Sequence, residues 1–376
     1  MAVTEITAKT ILRKFKKADS WFVARYSMNL YRGCLHNCIY CDGRAEKYNV
    51  DGEFGRDVAV KINALELLEK ELDPTRKRKP IQKGFVLLGG GVGDSYQAIE
   101  KKYELTRGAL KLMDRFDRPV HVLTKSTLVE RDIDLLEKIN KKSKALVSMS
   151  FSSMDQKISS QFEPGVDDPL KRLDLLKQVK SKSGIAIGVF LMPVIPFISD
   201  TPEVLNETMA RCKEVGVDFV IFGGMTLKPG RQQDYFYTSL EKTNPELINE
   251  YKCLYANAGQ WGNTSEPYYH KINHLFDSLA RRYGISKRIP IKHWQAVTDD
   301  SDRVVVILEQ LDYLLKMKGE KSPYGYGAYS LSQLKEPIRE YQGSFTELKG
   351  IGPVTERLIR EILKTGSCRY YDKLMG

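Results

Sequence analysis

Six short apolar runs punctuate the first part of the chain: Tyr26–Tyr31, Gly84–Leu88, Val120–Thr124, Ala145–Phe151, Ile185–Pro193 and Phe219–Phe222. Each has strand length, and the segments between them carry helical spacing. Helices are predicted at about 60–72, 97–116, 128–140, 169–181 and 202–215. In the second of these, Ile99, Tyr103, Leu110 and Met113 fall on one face. Strands that alternate with helices cannot pair as hairpins and need crossover connections. The pattern therefore predicts an α/β fold, a partial (β/α)6 barrel with a helical C-terminal extension. Barrels of this kind place chemistry at the C-terminal ends of their strands.

The rhythm changes after Gly223. Helices are expected at 245–256, 270–283 and 302–317 with no strand between them. Pro323–Ser330 (PYGYGAYS) reads as a linker. The expected organisation is an N-terminal extension at 1–25, the barrel core at 26–225, a mainly helical completion at 226–322, and a separate segment at 331–376.

Composition narrows the function. Lys plus Arg outnumber Asp plus Glu by 59 to 48, giving a formal charge of +11; a surplus of that size favours a polyanionic partner. The most apolar stretch, Gly184–Ile198, is too short to span a bilayer and contains Pro193 and Pro196. Six cysteines in a chain of 376 residues do not make a disulfide scaffold. No signal peptide is read at the N-terminus, and a reduced, cytoplasmic setting is the expectation.

Three cysteines cluster in YRGCLHNCIYC: Cys34, Cys38 and Cys41. They directly follow the first predicted strand, close enough to hold one centre. Zinc would require a fourth ligand, for which His36 is at hand. An iron–sulfur cube takes one thiolate per iron. With three thiolates, one iron is left for a small molecule, and the C-x3-C-x2-C spacing departs from the usual zinc pairs.

That spacing, placed after the first strand of a β/α barrel, resembles the radical S-adenosylmethionine (SAM) superfamily. YSMNLYRGCLHNCIYCDGR, GDSYQAIEKKYELTR, VLTKSTLVERDIDLL, FEPGVDDPLKRL and GVFLMPVIP resemble its spore photoproduct lyase-like group, over about residues 20–225. The resemblance implies a radical SAM barrel that holds a 4Fe-4S cluster and SAM. The reduced cluster would cleave SAM to a 5′-deoxyadenosyl radical, with electrons from a ferredoxin or flavodoxin.

Site residues follow from chemistry and resemblance together. Gly89, Gly90 and Gly91 end the second strand, where missing side chains permit close backbone approach or a flexible turn. The resemblance places the SAM amino group there. Lys125 at a strand tip needs an anion, and the resemblance supplies the SAM carboxylate. Ser148 and Ser150 share a strand face, available to ribose hydroxyls or to the backbone. Met192 packs near adenine or in the core. Tyr40, between two of the cysteines, is expected over the cluster or the adenine. Asp94 either orients substrate or caps a helix. Tyr96 is a packed aromatic or a relay. Glu163 and Arg172 flank the next loop, as further site candidates or as an exposed pair of little energetic weight.

Two departures stand out. Spore photoproduct lyase uses a cysteine near the end of the second strand as hydrogen-atom donor; this chain has no cysteine between Cys41 and Cys212. Asp42 and Gly43 also replace a more usual aromatic–Ala pair. Near the C-terminus, FTELKGIGPVTERLIREIL resembles a helix-hairpin-helix motif. Gly350 and Gly352 would turn backbone N–H groups outward at a helix start, with Lys349, Arg357, Arg360 and Lys364 adding charge. The alternative is a helical hairpin docked on the barrel. The composite expectation is a radical SAM enzyme acting on nucleic acid, DNA before RNA. Its rivals are the same chemistry on RNA, protein or a small molecule, and a non-enzymatic zinc-bearing nucleic-acid binder.

Overall fold

The structure, a computed structural model, describes all residues except 1, 49, 51, 78, 79, 90, 91 and 376. Ten strands run in chain order: β1 Val3–Ile6, β2 Leu12–Asp19, β3 Ala24–Met28, β4 Tyr31–Arg32, β5 Val58–Lys61, β6 Phe85–Leu88, β7 Val120–Thr124, β8 Ala145–Phe151, β9 Ala186–Val194 and β10 Phe219–Gly224. The first helices are α1 Ala64–Leu72, α2 Glu100–Tyr103, α3 Leu105–Arg115, α4 Ile133–Lys142, α5 Gln156–Phe162, α6 Pro169–Ser183 and α7 Pro202–Val215. Then follow α8 Arg231–Thr243, α9 Ile248–Leu254, α10 Glu266–Tyr283, α11 Asp300–Met317, α12 Tyr324–Ser332, α13 Pro353–Thr365 and α14 Arg369–Met375.

The main sheet has seven strands in the order β10-β9-β8-β7-β6-β3-β2. From β3 to β10 every pairing is parallel, and β2 closes the edge antiparallel to β3. This is the expected partial (β/α)6 barrel. A small second sheet, β1-β5-β4, takes in the start of the chain. The N-terminal stretch thus contributes strands to both sheets.

Alternation sorts the strand residues into two cores. Val86, Val122, Val147, Ile187 and Val220 face outward, against Leu110, Leu136, Leu176 and Met209 of the helices. Leu87, Leu146, Phe190 and Phe219 face the lumen, where Val304, Leu308, Leu311, Ile359 and Ile362 fill it. The C-terminal helices enter from the end where the strands begin. Arg25, near the start of β3, pairs with Asp302 at 3.1 Å, and Gln310 donates to Ser20 O at 2.8 Å in the β2–β3 turn. That end is plugged, and the opposite end stays open.

Two local expectations are corrected. The single helix over 97–116 is broken at Glu104, which adopts a left-handed φ of 48° between α2 and α3. Of the stretch Pro323–Ser330, Tyr324 onward lies within helix α12, with Pro323 as its N-cap, and is not a linker. Its glycines serve close packing: a Cβ on Gly325 would lie 2.9 Å from Asp312 Oδ2, and one on Gly327 3.3 Å from Thr355 Cγ2. Among the described residues, no helix is long and apolar enough to cross a membrane.

Because Ile359 is buried in the lumen core, Ile359→Ala is expected to cost about 2–5 kcal/mol. Thermal unfolding should show one lowered transition for the whole chain. An unchanged barrel transition beside a separate early one would show that the tail does not support the barrel.

Candidate active site

The three cysteine side chains line one cavity of about 370 Å³ at the open end of the barrel. The loop that carries them is fixed by its backbone. Gln97, fully buried, accepts from Leu35 N (2.9 Å) and donates to Gly33 O (3.2 Å). Arg44 donates to Cys38 O and Phe54 O, both at 3.2 Å. Its guanidinium lies 3.4 Å from the centre of the Tyr235 ring. A Cβ on Gly43 would come within 2.5 Å of both Phe54 and Val92, so a side chain there would displace them.

His36 does not serve as a fourth metal ligand. Its Nδ1 donates to Gly165 O at 3.0 Å and its Nε2 faces Asp94 Oδ2 at 3.1 Å. Burial opposes protonation, but the Asp94 carboxylate raises its pKa above the usual value. Among the described residues, no three His, Cys, Asp or Glu side chains form a single-ion site. Burial also pushes the thiols up, Cys38 to about 12, and Cys34 and Cys41 above their ordinary values. Loading a cluster must therefore expel protons from this pocket.

Strand tips supply the remaining wall. Gly89, at φ 87°, presses so closely on Leu123 O that a Cβ would sit 1.9 Å away. Gly90 and Gly91 lie outside the described residues. Lys125, Ser150 and Met192 face the cavity from β7, β8 and β9. Lys125 Nζ donates to Glu163 Oε1 at 2.8 Å and to Ser150 Oγ at 3.1 Å. Ser150 in turn donates to Met192 O at 3.0 Å. Tyr40 is buried with its hydroxyl on Glu163 and its ring 5.7 Å from Lys125 Nζ.

Several expected roles change. Glu163 and Arg172 are fully buried, not exposed. Glu163 takes hydrogen bonds from Lys125, Tyr40, Ser152 N and Ser159, and from Arg172 at 2.9 Å. Burial would raise its pKa, but Lys125 and Arg172 hold it well below the usual carboxylate range. Ser148 lies one layer beneath the cavity, where its hydroxyl donates to His121 Nε2 (2.9 Å). Tyr96 is buried beside a neighbouring hollow on the outer side of the cysteine loop. Asp94 accepts from Tyr96 N (2.8 Å), Thr124 Oγ1 (2.8 Å) and Lys125 N (2.7 Å) as well as His36. It ties the β6 turn, the β7 tip and the cysteine loop together. Cys253 is exposed; Cys212 and Cys368 are buried away from the cavity.

On the opposite wall, Asp42 pairs with Lys228 and accepts from Thr226 Oγ1 at 2.8 Å. At the plugged end, Lys349, Gly350, Gly352 and Arg357 are exposed, with Gly350 at φ 82°. Arg360 is held by Glu356 within one helical turn, which neutralises much of its charge for any phosphate. The sequence reading missed Arg44, Gln97 and the central role of Glu163. The signal for Glu163 was its place in FEPGVDDPLKRL, one of the blocks that carry the family resemblance.

The site and fold define a class: a parallel half-barrel whose first strand leads into a three-thiol loop at the open end. The chain belongs to the radical SAM superfamily, whose family description matches residues 28–203. That family uses a 4Fe-4S cluster and SAM, and the donor set here fits both. Three thiols share one cavity, and the space beside them meets Lys125 and Gly89. An uncharacterized protein of Methanocaldococcus jannaschii is 33% identical over 59% of this chain and 78% of its own. One of Mycobacterium tuberculosis is 29% identical over 67% and 73%. Among solved structures, Streptococcus suis SuiB bound to S-adenosylmethionine aligns with a TM-score of 0.38 and 13% identity, over 60% of this chain. The chain spans 47% of that SuiB chain. Methylornithine synthase (PylB) aligns at 0.40 with 12% identity, over 66% of this chain and 61% of its own.

Two outcomes test this geometry. Removing one partner of a fully buried ion pair strands the other, so Arg172→Ala is expected to cost about 3–5 kcal/mol in denaturant unfolding, and Arg172→Lys less. His121, desolvated in the lumen, is pushed down from 6.5 to about 4. The unfolded chain binds the proton first as pH falls. Its stabilising contribution is complete above pH 6.5 and drains away towards pH 4, by about 3 kcal/mol. Melting as a function of pH should show that slope, flattened in His121→Gln.

Proposed function

We propose that this chain is a radical SAM enzyme of the spore photoproduct lyase-like group that modifies or repairs nucleic acid, DNA before RNA. The observation that carries the reading is the single cavity shared by Cys34, Cys38, Cys41 and Lys125. The three thiolates would hold the cluster. Lys125, Ser150, Gly89 and Met192 would surround SAM. When bound, this pair supplies reductive cleavage of the sulfonium to a 5′-deoxyadenosyl radical.

The protein's own residues prepare that chemistry. Glu163 fixes Lys125 and Tyr40 in one orientation. Asp94 and Arg44 lock the cysteine loop. Phe22, Leu123 and Met192 line the cavity with apolar surface that limits water. Asp42 and Lys228 shape the wall left for substrate. None of the other three cysteines lines the cavity, so the hydrogen donor differs from the thiol of spore photoproduct lyase. The net charge of +11 and the exposed Lys349–Gly352 turn support a polyanionic substrate. A ferredoxin or flavodoxin is the fitting reductant.

Anaerobic reconstitution tests the chemistry. The wild type is expected to turn brown, absorb near ~400 nm, and release 5′-deoxyadenosine with dithionite and SAM. Cys38→Ala should lose both properties. A colourless, zinc-loaded protein would end this reading. Deuterated DNA should then pass label to 5′-deoxyadenosine; label arriving only from RNA, peptide or small molecules would reassign the substrate.

A further inference from the structure

The substrate reading leaves a geometric gap. The helix-hairpin-helix-like turn packs at the plugged end of the barrel, whereas the cavity opens at the other. Strands of five to nine residues separate the two ends, which is about 17–30 Å at ~3.3 Å per residue. A nucleic acid held by Lys349–Gly352 is not thereby delivered to the cysteines. The mouth of the cavity needs contacts of its own.

Such contacts are present. Trp261 is 57% exposed, unusual for so large an apolar side chain. Its position is built. Leu227, next to the cavity-lining Thr226, donates to Gly262 O at 2.7 Å. Gly262 has φ 66°, and a Cβ there would meet the Leu227 carbonyl carbon at 2.3 Å. From the other side, Lys47 places its ammonium 5.2 Å from the Trp261 ring and 4.8 Å from the Tyr48 ring. Lys47 lies just beyond the cysteine loop. Trp261 is therefore held between the loop that follows β10 and the segment that follows the cysteine loop.

A second hollow of about 370 Å³ begins two residues further along the same loop, at Asn263. Gly224, Met225 and Thr226 form its inner wall and also line the cysteine cavity, so the two spaces share a partition. Its outer wall holds Asn263, Thr264, the carboxylate of Glu266 and Tyr269, the last 40% exposed. Aromatic faces stack on any base, an adjacent lysine answers the phosphate, and amide and hydroxyl groups can meet base edges.

We propose that Trp261 and Tyr269, with Lys47, form a stacking platform that takes an unstacked base of single-stranded or flipped-out DNA beside the cavity. This rests on the nucleic-acid reading above. The lysine against the exposed Trp261 ring and the charge of +11 favour DNA over an apolar peptide on the same face.

The test uses the full-length, anaerobically reconstituted protein and fluorescein-labelled single-stranded oligo(dT), read by anisotropy. Cluster absorbance and melting temperature serve as folding controls. The Lys349→Glu/Arg357→Glu background removes binding at the far end. In that background, Trp261→Ala is expected to weaken binding at least about fivefold, and Trp261→Phe to retain most of it. Equal binding by the parent and by Trp261→Ala would overturn the platform and leave the nucleic-acid reading standing. If unmodified protein forms 5′-deoxyadenosine yet binds no oligonucleotide, the nucleic-acid reading itself fails. Loss of binding to an unstructured peptide, with oligo(dT) binding unchanged in Trp261→Ala, would assign the face to peptides and overturn the proposal.

Discussion

Glu163 holds a buried negative charge on which the reaction chamber is organised. Lys125 and Arg172 cannot be carried into an apolar barrel without an anion between them, because desolvating a lone cation costs several kcal/mol. Glu163 satisfies both and also receives the Tyr40 hydroxyl from inside the cysteine loop. One carboxylate thus couples the β7 tip, helix α6 and the cluster-binding loop. Asp94 repeats the device with neutral donors and His36, joining the β6 turn to the same loop. The thiols are held ready by two anions that never touch them.

The barrel's polarity follows from how its lumen is filled. An open half-barrel exposes an apolar inner face, and some element must cover it. Here the last third of the chain does so from the end where the strands begin, with Trp294, Val304, Leu308 and Ile359 sealed inside. Chemistry is thereby confined to the other end, where the strand tips gather. The same plug separates the C-terminal turn from the cavity, so gripping a polymer and reacting with it are tasks for different ends of the molecule.

Much of the barrel was legible from the chain alone. Apolar runs alternating with helical patterns located its six parallel strands, since burial on both faces leaves continuous apolar stretches. The cysteine loop was legible because its ligands are local, within eight residues of one another. Elements with weaker patterns were not: β2 is a half-exposed edge strand rich in lysine, and α12 has Gly and Tyr where a strong helix would have Ala and Leu. In α12 tertiary contact overrode propensity, because its glycines are needed where α11 and α13 approach.

By itself, then, the sequence determined the parallel half-barrel, the three-thiol loop and the lysine at a strand tip, all features written in short range. Only the tertiary structure decided which residues meet. It buried Glu163 against Arg172, turned Ser148 and Tyr96 away from the cavity, engaged His36 with Asp94, and set the C-terminal turn at the far end. Such pairings join residues tens or hundreds of positions apart. Their partners are chosen by packing and by the cost of unpaired buried charge, and neither quantity is visible in a local pattern.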